Sequence, residues 1–462
     1  MENEIIKTDI VVIGAGPGGG IAAEMTAIKG LKTILIDKGA VGGSCLNRGC
    51  VPSKSWLAAE HLYSQRDFAK KLGIDIPLPQ FSKIKAHHED VVSIMQRGLT
   101  STYQKKGITL ISGNASFISE KNISIDNGKT VIEFENAVIA TGSRPINPFG
   151  EGEGIYTSDT IFNIEKLPSS IAIIGGGAIG MEMATFFSGL GSTVTVIEAL
   201  DDILPNVDGE IKATVKRELK KRGVSFITGT KASKVSREKD SIRIDLGNGE
   251  SVNSEILLLA IGRIPETGNL GLENTEVSID SSGYIISDQA MRTTQKGVYA
   301  VGDVSGRINL AYVAHHDGTV AAHDILGSRG LEIMNVRPVK LDTLTLPIVI
   351  FTNPEIGFVG KTEEDLKRDG TSYNRGVHFI RSLARAHASG EIAGLVKVLA
   401  DESGRIVGIH MAGPGVTEII HTAALAIKAQ MTADEMANTI FGHPTIAEAI
   451  PLAAASLLEG KK

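Results

Sequence analysis

Cys45 and Cys50 are the only cysteines in this 462-residue chain. Both lie in the stretch Gly42-Gly43-Ser44-Cys45-Leu46-Asn47-Arg48-Gly49-Cys50-Val51-Pro52-Ser53-Lys54. Two thiols this close can hold a metal, staple a loop or exchange electrons. A metal fits poorly: tetrahedral sites take four protein ligands, or three in catalysis, and no histidine stands nearby. No metal site is expected. A staple also fits poorly, because closing so short a loop adds little stability. A redox disulfide fits best, with two unrelated buried thiols as the plain alternative. Disulfide geometry asks for Cα atoms roughly 5.5–6 Å apart. Five residues of strand span roughly 16 Å, and five of helix rise about 7.5 Å. The segment must be curled like a helix and tightened, which Gly49 beside Cys50 permits.

A second candidate group is Gly442-His443-Pro444-Thr445-Ile446-Ala447-Glu448. Histidine is the side chain whose ordinary pKa suits proton transfer near neutrality. His443 reads as a base and Glu448 as the carboxylate that orients it. An equal alternative is structural: Thr445-Ile446-Ala447-Glu448 fits a capping box, in which Glu448 serves only a helix start. His87-His88 and His315-His316 show no partner pattern and are expected as surface or helix residues.

Such groups need rigid elements to place them. Ile10 to Ile13 is a continuous apolar run, as a buried parallel strand should be. Gly14-Ala15-Gly16-Pro17-Gly18-Gly19 follows, then a helical pattern to Ile28 and an apolar strand from Thr33 that ends at Asp37. This is the glycine fingerprint of a dinucleotide fold in its proper context. The glycines admit a pyrophosphate onto the helix N-terminus, and the terminal acid meets a ribose. The pattern recurs. Ile171 to Ile174 leads into Gly175-Gly176-Gly177-Ala178-Ile179-Gly180, a helix and a strand from Thr193 that ends at Glu198. Gly14 to Asp37 and Gly175 to Glu198 have the same 23-residue offset. Two dinucleotide folds are expected, one for each of two cofactors.

The parallel continues. Ala137-Val138-Ile139-Ala140-Thr141-Gly142-Ser143-Arg144-Pro145 echoes Leu257-Leu258-Leu259-Ala260-Ile261-Gly262-Arg263-Ile264-Pro265. Each is an apolar strand ending in a small-residue turn, where open α/β sheets place ligands. The first fold carries a helical insertion over about 50–110, in which Trp56, Ala59 and Tyr63 share a face. Linkers are expected at 144–154, 166–170 and 265–272. Val298-Tyr299-Ala300-Val301-Gly302-Asp303 is another strand ending in a turn. Asp303 there is either a cofactor-hydroxyl acceptor or a helix cap. From about Asn335 the texture becomes mixed short strands and helices without a third glycine loop. The fold class is therefore α/β: two doubly wound, Rossmann-like dinucleotide-binding domains, then a C-terminal α+β domain.

Composition narrows the function classes. Apolar residues make 42 % and charged residues 22 % of the chain, ordinary for a soluble globular protein. A net charge of −6 gives no basic footprint for nucleic acid. The N-terminus lacks a signal-peptide pattern, and no apolar run approaches the roughly 20 residues needed to cross a bilayer. Two cysteines are too few for a secreted disulfide framework, so a reducing cytoplasm is expected.

Together these residues resemble the flavoprotein disulfide reductases over nearly the whole chain. Within that group the chain is most similar to the dihydrolipoamide dehydrogenases. The carriers are Gly42 to Lys54, Glu198-Ala-Leu-Asp-Asp-Ile-Leu-Pro, Asn353-Pro-Glu-Ile-Gly-Phe-Val-Gly and His443-Pro-Thr-Ile-Ala-Glu448. The resemblance implies oxidation of a dihydrolipoyl dithiol, free or on a lipoyl carrier protein, by NAD+ through a Cys45–Cys50 disulfide and FAD. It makes Cys45 the more accessible sulfur and Cys50 the one nearer the flavin. It implies FAD on Gly14, Gly16, Pro17, Gly18, Gly19, Asp37, Lys38, Gly43, Ser44, Lys54, Ala115, Ala140, Thr141, Gly142, Gly302, Asp303 (on the ribityl chain) and Ala311. It implies NAD on Gly175, Gly177, Ala178, Ile179, Gly180, Glu182, Glu198, Ala260, Gly262 and Arg263. Lys54 and Glu182 match a pair beside the flavin ring, whose plainer reading is an ordinary ion pair. A homodimer is implied, with His443 and Glu448 completing the partner's site. The implied division is 1–147 for FAD, 148–270 for NAD, 271–340 completing the FAD site and 341–462 as the interface.

Glu198 with Asp201 and Asp202 would repel a 2′-phosphate, so NAD is favoured over NADP. The chain ends without the cysteine pair of mercuric reductases, and both redox cysteines are present, unlike in the single-cysteine relatives. Phe441 stands where many relatives carry another histidine, and His315-His316 replace commonly acidic residues. Alternatives are an NADH-dependent reductase of another small disulfide, and a flavoprotein acting mainly by docking in a lipoyl-dependent assembly.

Overall fold

The computed structural model describes residues 5–126, 128, 130–331 and 340–459. The change of texture near Asn335, the first four residues and the tail beyond Glu459 lie outside them.

The strand Ile5–Ile13 lies inside the first sheet, parallel to Thr33–Asp37 on one side and Thr130–Ile139 on the other. Val11 faces Ile34 and Ala137 across the two ladders. Its continuous apolar run follows from burial on both faces. Val11 and Ile13 belong to one core cluster and Ile10 and Val12 to another, as the two-residue alternation of a strand requires. The late strand Val298–Ala300 adds to this sheet beside Thr130–Ile139. The helices Pro17–Ile28 and Ala311–Ser328 pack against one another. Residues far apart in sequence thus close the same site.

The second fold repeats the first. Ser170–Ile174 pairs in parallel with Thr193–Ile197 and Ile256–Leu259. Each fold also carries an antiparallel set: Ala115–Ser119, Asn122–Ile125 and Thr130–Ile139 in the first, Ala232–Glu238, Ser241–Leu246 and Ser251–Ser254 in the second. The stretches expected as linkers from Arg144 and from Pro265 begin differently. Ser143–Pro145 and Arg263–Pro265 pair as an antiparallel ribbon, which ties the two connections together.

The insertion forms the helices Cys50–Ser64, Arg66–Lys71 and Phe81–Lys105. Trp56 is fully buried and packs on Phe81, Phe162 and Phe186, with Ala59 and Tyr63 against the same cluster. His88 is not a surface residue. It is buried and its Nδ1 accepts from Trp56 Nε1 at 2.9 Å, because a buried indole N–H needs a partner.

The C-terminal region is a five-stranded antiparallel sheet of Ile348–Ile350, Glu355–Gly360, Ile406–Gly413, Leu395–Ala400 and Asn374–Phe379. The helices Val416–Lys428 and Ala449–Glu459 pack on it. A buried charge cluster joins it to the second fold. Lys397 Nζ binds Asp208 at 2.9 Å and also Glu363, with the Lys397 side chain 1 % exposed. The architecture is α/β, two dinucleotide folds followed by an antiparallel α+β domain.

Candidate active site

Cys45 sits in the short helix Gly43–Arg48, and Cys50 opens the helix Cys50–Ser64. Gly42 starts the first helix at φ 103°, a left-handed conformation that favours glycine. Gly49 breaks the two helices apart, and a Cβ there would stand 2.9 Å from the Ser44 carbonyl oxygen. That close approach lets the chain tighten until the thiols meet. Both cysteines are free thiols, near enough that each shifts the other's titration. The Cys45 hydrogen bond draws the Cys50 thiol down to about 7, against burial, with help from the Lys54 charge. The same hydrogen bond, with burial, pushes Cys45 up. The two shifts run in opposite directions, favouring the proton on Cys45. Cys50 is exposed toward the cavity and Cys45 half-buried. Both line one cavity, and Cys50 presents itself to it from a helix start.

That cavity, about 600 Å³, runs between the two dinucleotide folds. Of the residues expected to hold FAD, Gly14, Gly16, Pro17, Gly18, Asp37, Lys38, Gly43, Ser44, Lys54, Ala115, Ala140, Thr141, Gly142, Gly302, Asp303 and Ala311 all line it. Gly19 does not. A Cβ on Gly19 would overlap the Gly14 carbonyl oxygen, so this glycine serves the packing of helix on loop. The site fits a dinucleotide. The helix Pro17–Ile28 reaches the cavity with Gly16 at its cap, no side-chain cap bond and no acid in its first turn. Its amide end is left for an anion. Asp37 accepts from the Ala15 N–H at 2.7 Å and the Gly39 N–H at 2.8 Å, which fixes its carboxylate at the cavity wall.

Glu198 reproduces this in the second fold, accepting from the Gly176 N–H at 2.6 Å and the Leu200 N–H at 2.8 Å. A Cβ on Gly175 would overlap the Ala260 carbonyl, as one on Gly14 would overlap that of Ala140. Gly180 is packed against Gly175 as Gly19 is against Gly14. Gly177 caps the helix Ala178–Gly189 without a side-chain bond, leaving its amide end for a second phosphate. Ala178, Ile179 and Glu182 line the shared cavity, so this helix start looks onto the first fold's site. Gly262 lies in the turn just before the ribbon, at φ 117°.

Lys54 and Glu182 meet across the folds at 2.9 Å, and both line the cavity. Glu182 also accepts from the Phe351 N–H at 3.0 Å, and Lys54 Nζ lies 4.6 Å from the Phe351 ring centre. Arg263, expected with NAD, is engaged elsewhere. Its guanidinium donates to Ser143 Oγ at 2.8 Å and Asp159 at 2.7 Å, because the ribbon turns it toward the first fold. Asp303 accepts from Ser143 Oγ at 2.6 Å. Sequence reading missed Asp159, which also binds Arg48 at 2.9 Å. Arg48 had a signal, lying between the cysteines; a loop aspartate had none.

His443 is 71 % exposed and does not line the cavity in its own chain. Its Nδ1 donates to Glu448 Oε1 at 2.8 Å, which leaves Nε2 as the acceptor. Glu448 Oε2 accepts from the Thr445 N–H at 2.7 Å. That bond and the His443 bond hold the Glu448 carboxyl below its usual range. Among the described residues no helix is long and apolar enough to cross a membrane, and no cluster of three or more His, Cys, Asp or Glu could hold a metal.

Residues 8–318 match the family described as pyridine nucleotide-disulphide oxidoreductase, and residues 346–454 match its dimerisation domain. A mitochondrial dihydrolipoyl dehydrogenase of Arabidopsis thaliana is 35 % identical, covering 97 % of this chain and 90 % of that protein. A dihydrolipoyl dehydrogenase of Haloferax volcanii is 36 % identical, covering 98 % of this chain and 96 % of that one. Among solved structures, the HOCl-induced flavoprotein disulfide reductase RclA of Escherichia coli matches with a TM-score of 0.88 at 24 % identity. The match covers 97 % of this chain and 99 % of that one, a likeness of fold.

Proposed function

The chain belongs to the pyridine nucleotide-disulphide oxidoreductase family, flavoproteins that use FAD and a pyridine nucleotide, and from that premise we propose that it is a dihydrolipoyl dehydrogenase. The observation that carries this reading is the Cys45–Cys50 thiol pair, set on two helices that meet at Gly49 and both lining the inter-fold cavity. In its oxidised form the pair is a disulfide. His443, supplied by a second copy of the chain, takes a proton from one substrate thiol at Nε2. The resulting thiolate attacks Cys45 Sγ. The Cys45–Cys50 bond breaks, and Cys50 departs as the thiolate it can hold near neutrality. The second substrate thiol, losing its proton to solvent, then attacks the substrate sulfur of the mixed disulfide. Cys45 leaves and takes up the proton that His443 holds. The substrate has become a cyclic disulfide and the protein a Cys45 thiol beside a Cys50 thiolate, two electrons richer.

The Gly14–Gly18 loop, Asp37 and Asp303 would hold FAD, which when bound would supply a two-electron acceptor for the reduced cysteines and a hydride donor for the nicotinamide. Glu198, with Asp201 and Asp202 close by in sequence, supports NAD over NADP, since a 2′-phosphate would meet negative charge. The need for a second copy follows from His443 standing away from its own chain's cavity, and residues 346–454 match a dimerisation domain. The division at 147, 270 and 340 serves the same reading, as does a reducing cytoplasm, where a two-cysteine chain is at home.

The test is steady-state turnover of dihydrolipoamide with NAD+ beside NADH-dependent reduction of glutathione disulfide and other small disulfides. Dihydrolipoamide should give the highest kcat/KM by at least about a hundredfold, some 3 kcal/mol of discrimination. A higher value on another disulfide would replace the substrate while leaving the family chemistry intact.

A further inference from the structure

One carboxylate outside the reaction scheme joins four elements around the thiol pair. Asp159 lies just beyond the strand Ile155–Thr157 of the second fold. Its Oδ2 binds Arg48 Nε at 2.9 Å and its Oδ1 binds Arg263 Nη1 at 2.7 Å. The Asp159 and Arg263 side chains are only 16 % and 14 % exposed, so solvent screens their pair little. Arg263 Nε goes on to donate to Ser143 Oγ at 2.8 Å, and Ser143 Oγ donates to Asp303 at 2.6 Å. Two guanidinium groups share one carboxylate in this network, Arg263 by a hydrogen bond and Arg48 as an ion pair, and the Ser143 hydroxyl passes the bond on.

The redox helix needs such an anchor. Gly43–Arg48 is six residues long, flanked by Gly42 and Gly49, so its own backbone fixes it weakly. Asn47 holds one side of it within the first fold, donating to the carbonyls of Ala40 and Val41 and accepting from Gln96. Arg48, three residues after Cys45 and two before Cys50, holds the other side to the second fold.

We propose that Asp159 is a positioning residue for the thiol pair: through Arg48 it pins the redox helix to the second fold, and through Arg263 and Ser143 it ties that helix to Asp303. The proposal rests on Cys45 and Cys50 being the redox pair and is independent of the lipoyl substrate. An unpinned helix lets Cys45 drift from Cys50. The effective concentration of one thiol toward the other then falls, and the disulfide forms less favourably.

The experiment equilibrates the FAD-loaded protein with reduced and oxidised dithiothreitol, then counts Cys45 and Cys50 thiols by alkylation and mass spectrometry. In Arg48→Met and in Asp159→Asn the equilibrium constant for closing the disulfide should fall by at least about fivefold. The double variant should fall no further than the singles, since both cut one link. Arg48→Lys, which keeps the charge, should recover part of the loss. Single-turnover formation of NADH from dithiothreitol-reduced protein should slow in the same order. Equilibrium constants within twofold of the parent in both single variants would overturn the proposal, as would additive losses in the double. If Asp159→Asn does not fold, the comparison of Arg48→Met with Arg48→Lys decides, and a lysine no better than methionine overturns it. Failure of dihydrolipoamide as substrate, with these shifts intact, sinks the substrate reading and supports the pin.

Discussion

Glu448 holds His443 with one carboxylate oxygen, at 2.8 Å, and caps the turn at Thr445 with the other, at 2.7 Å. The His443 contact and the helix-starting contact, competing alternatives in sequence, are both made by one side chain. His443→Gln should lower dihydrolipoamide turnover by about 10²–10⁴-fold, the usual worth of a positioned acid–base group. Glu448→Gln should lose less, because the amide can still accept from Thr445 while orienting His443 poorly. A kcat measurement on both variants checks the order; a Glu448→Gln kcat within twofold of the parent would make Glu448 a fold residue only.

The Cys50 thiol titrates at about 7 in place of its ordinary 9, chiefly because the Cys45 thiol donates to it. Its thiolate should therefore appear as pH rises through 7, and alkylation of the reduced protein should rise over the same range. In Cys45→Ala the donor is gone, and the midpoint should move up by at least about one unit, equivalent to 1.4 kcal/mol. Lys54→Met should raise it less, since Lys54 acts at a distance. Glu182 faces the same sulfur and opposes the effect. An unmoved midpoint in Cys45→Ala would remove the thiol pair as the cause.

Gly19 and Gly180 occupy the same place in the two folds, each against the carbonyl of its own first glycine. Gly19→Ala should cost about 1–3 kcal/mol of stability through overpacking and reduce FAD content. Gly180→Ala should spare FAD and weaken nucleotide binding. Differential scanning calorimetry and flavin absorbance separate the two; identical effects would deny that each glycine serves its own fold.

Lys397 neutralises Asp208 and Glu363 where the second fold meets the C-terminal sheet. Lys397→Met would leave the buried Asp208 carboxylate without its cation, while Glu363 keeps Lys367 at 3.2 Å, and should cost about 3–5 kcal/mol. Burial alone would raise the Glu363 carboxyl, but hydrogen bonds from Lys397 and Tyr373 outweigh it and hold the group at about 2. A depressed carboxyl stabilises the fold above its ordinary 4.5 and loses that contribution as pH falls toward 2. Glu363→Gln should therefore flatten the acid limb of stability between those values, measured by urea unfolding against pH.

Periodic and paired features were legible in the chain. Asp37 and Glu198 stand at one offset from their glycines, and the structure gives them the same two backbone bonds. What was hidden lay across long separations. The resemblance groups Arg263 with NAD; the ribbon pairing that turns it toward Ser143 has no local pattern. Asp159 is an ordinary loop acid until Arg48 and Arg263 converge on it. His88 sits on a polar helix, and only the tertiary approach of Trp56 makes it an acceptor. The relative exposure of Cys45 and Cys50 depends on what covers each helix, which spacing does not encode.

The central claim is that Cys45 and Cys50 carry the electrons between the dithiol and the nucleotide. Its most direct test is to mix the FAD-loaded protein anaerobically with one equivalent of dihydrolipoamide, trap thiols by rapid alkylation, and repeat with NAD+ present. Both cysteines should become alkylated without NAD+, and both should be protected with it as NADH forms. Alkylation that ignores dihydrolipoamide, or NADH formation that persists in Cys45→Ser and Cys50→Ser, would contradict it.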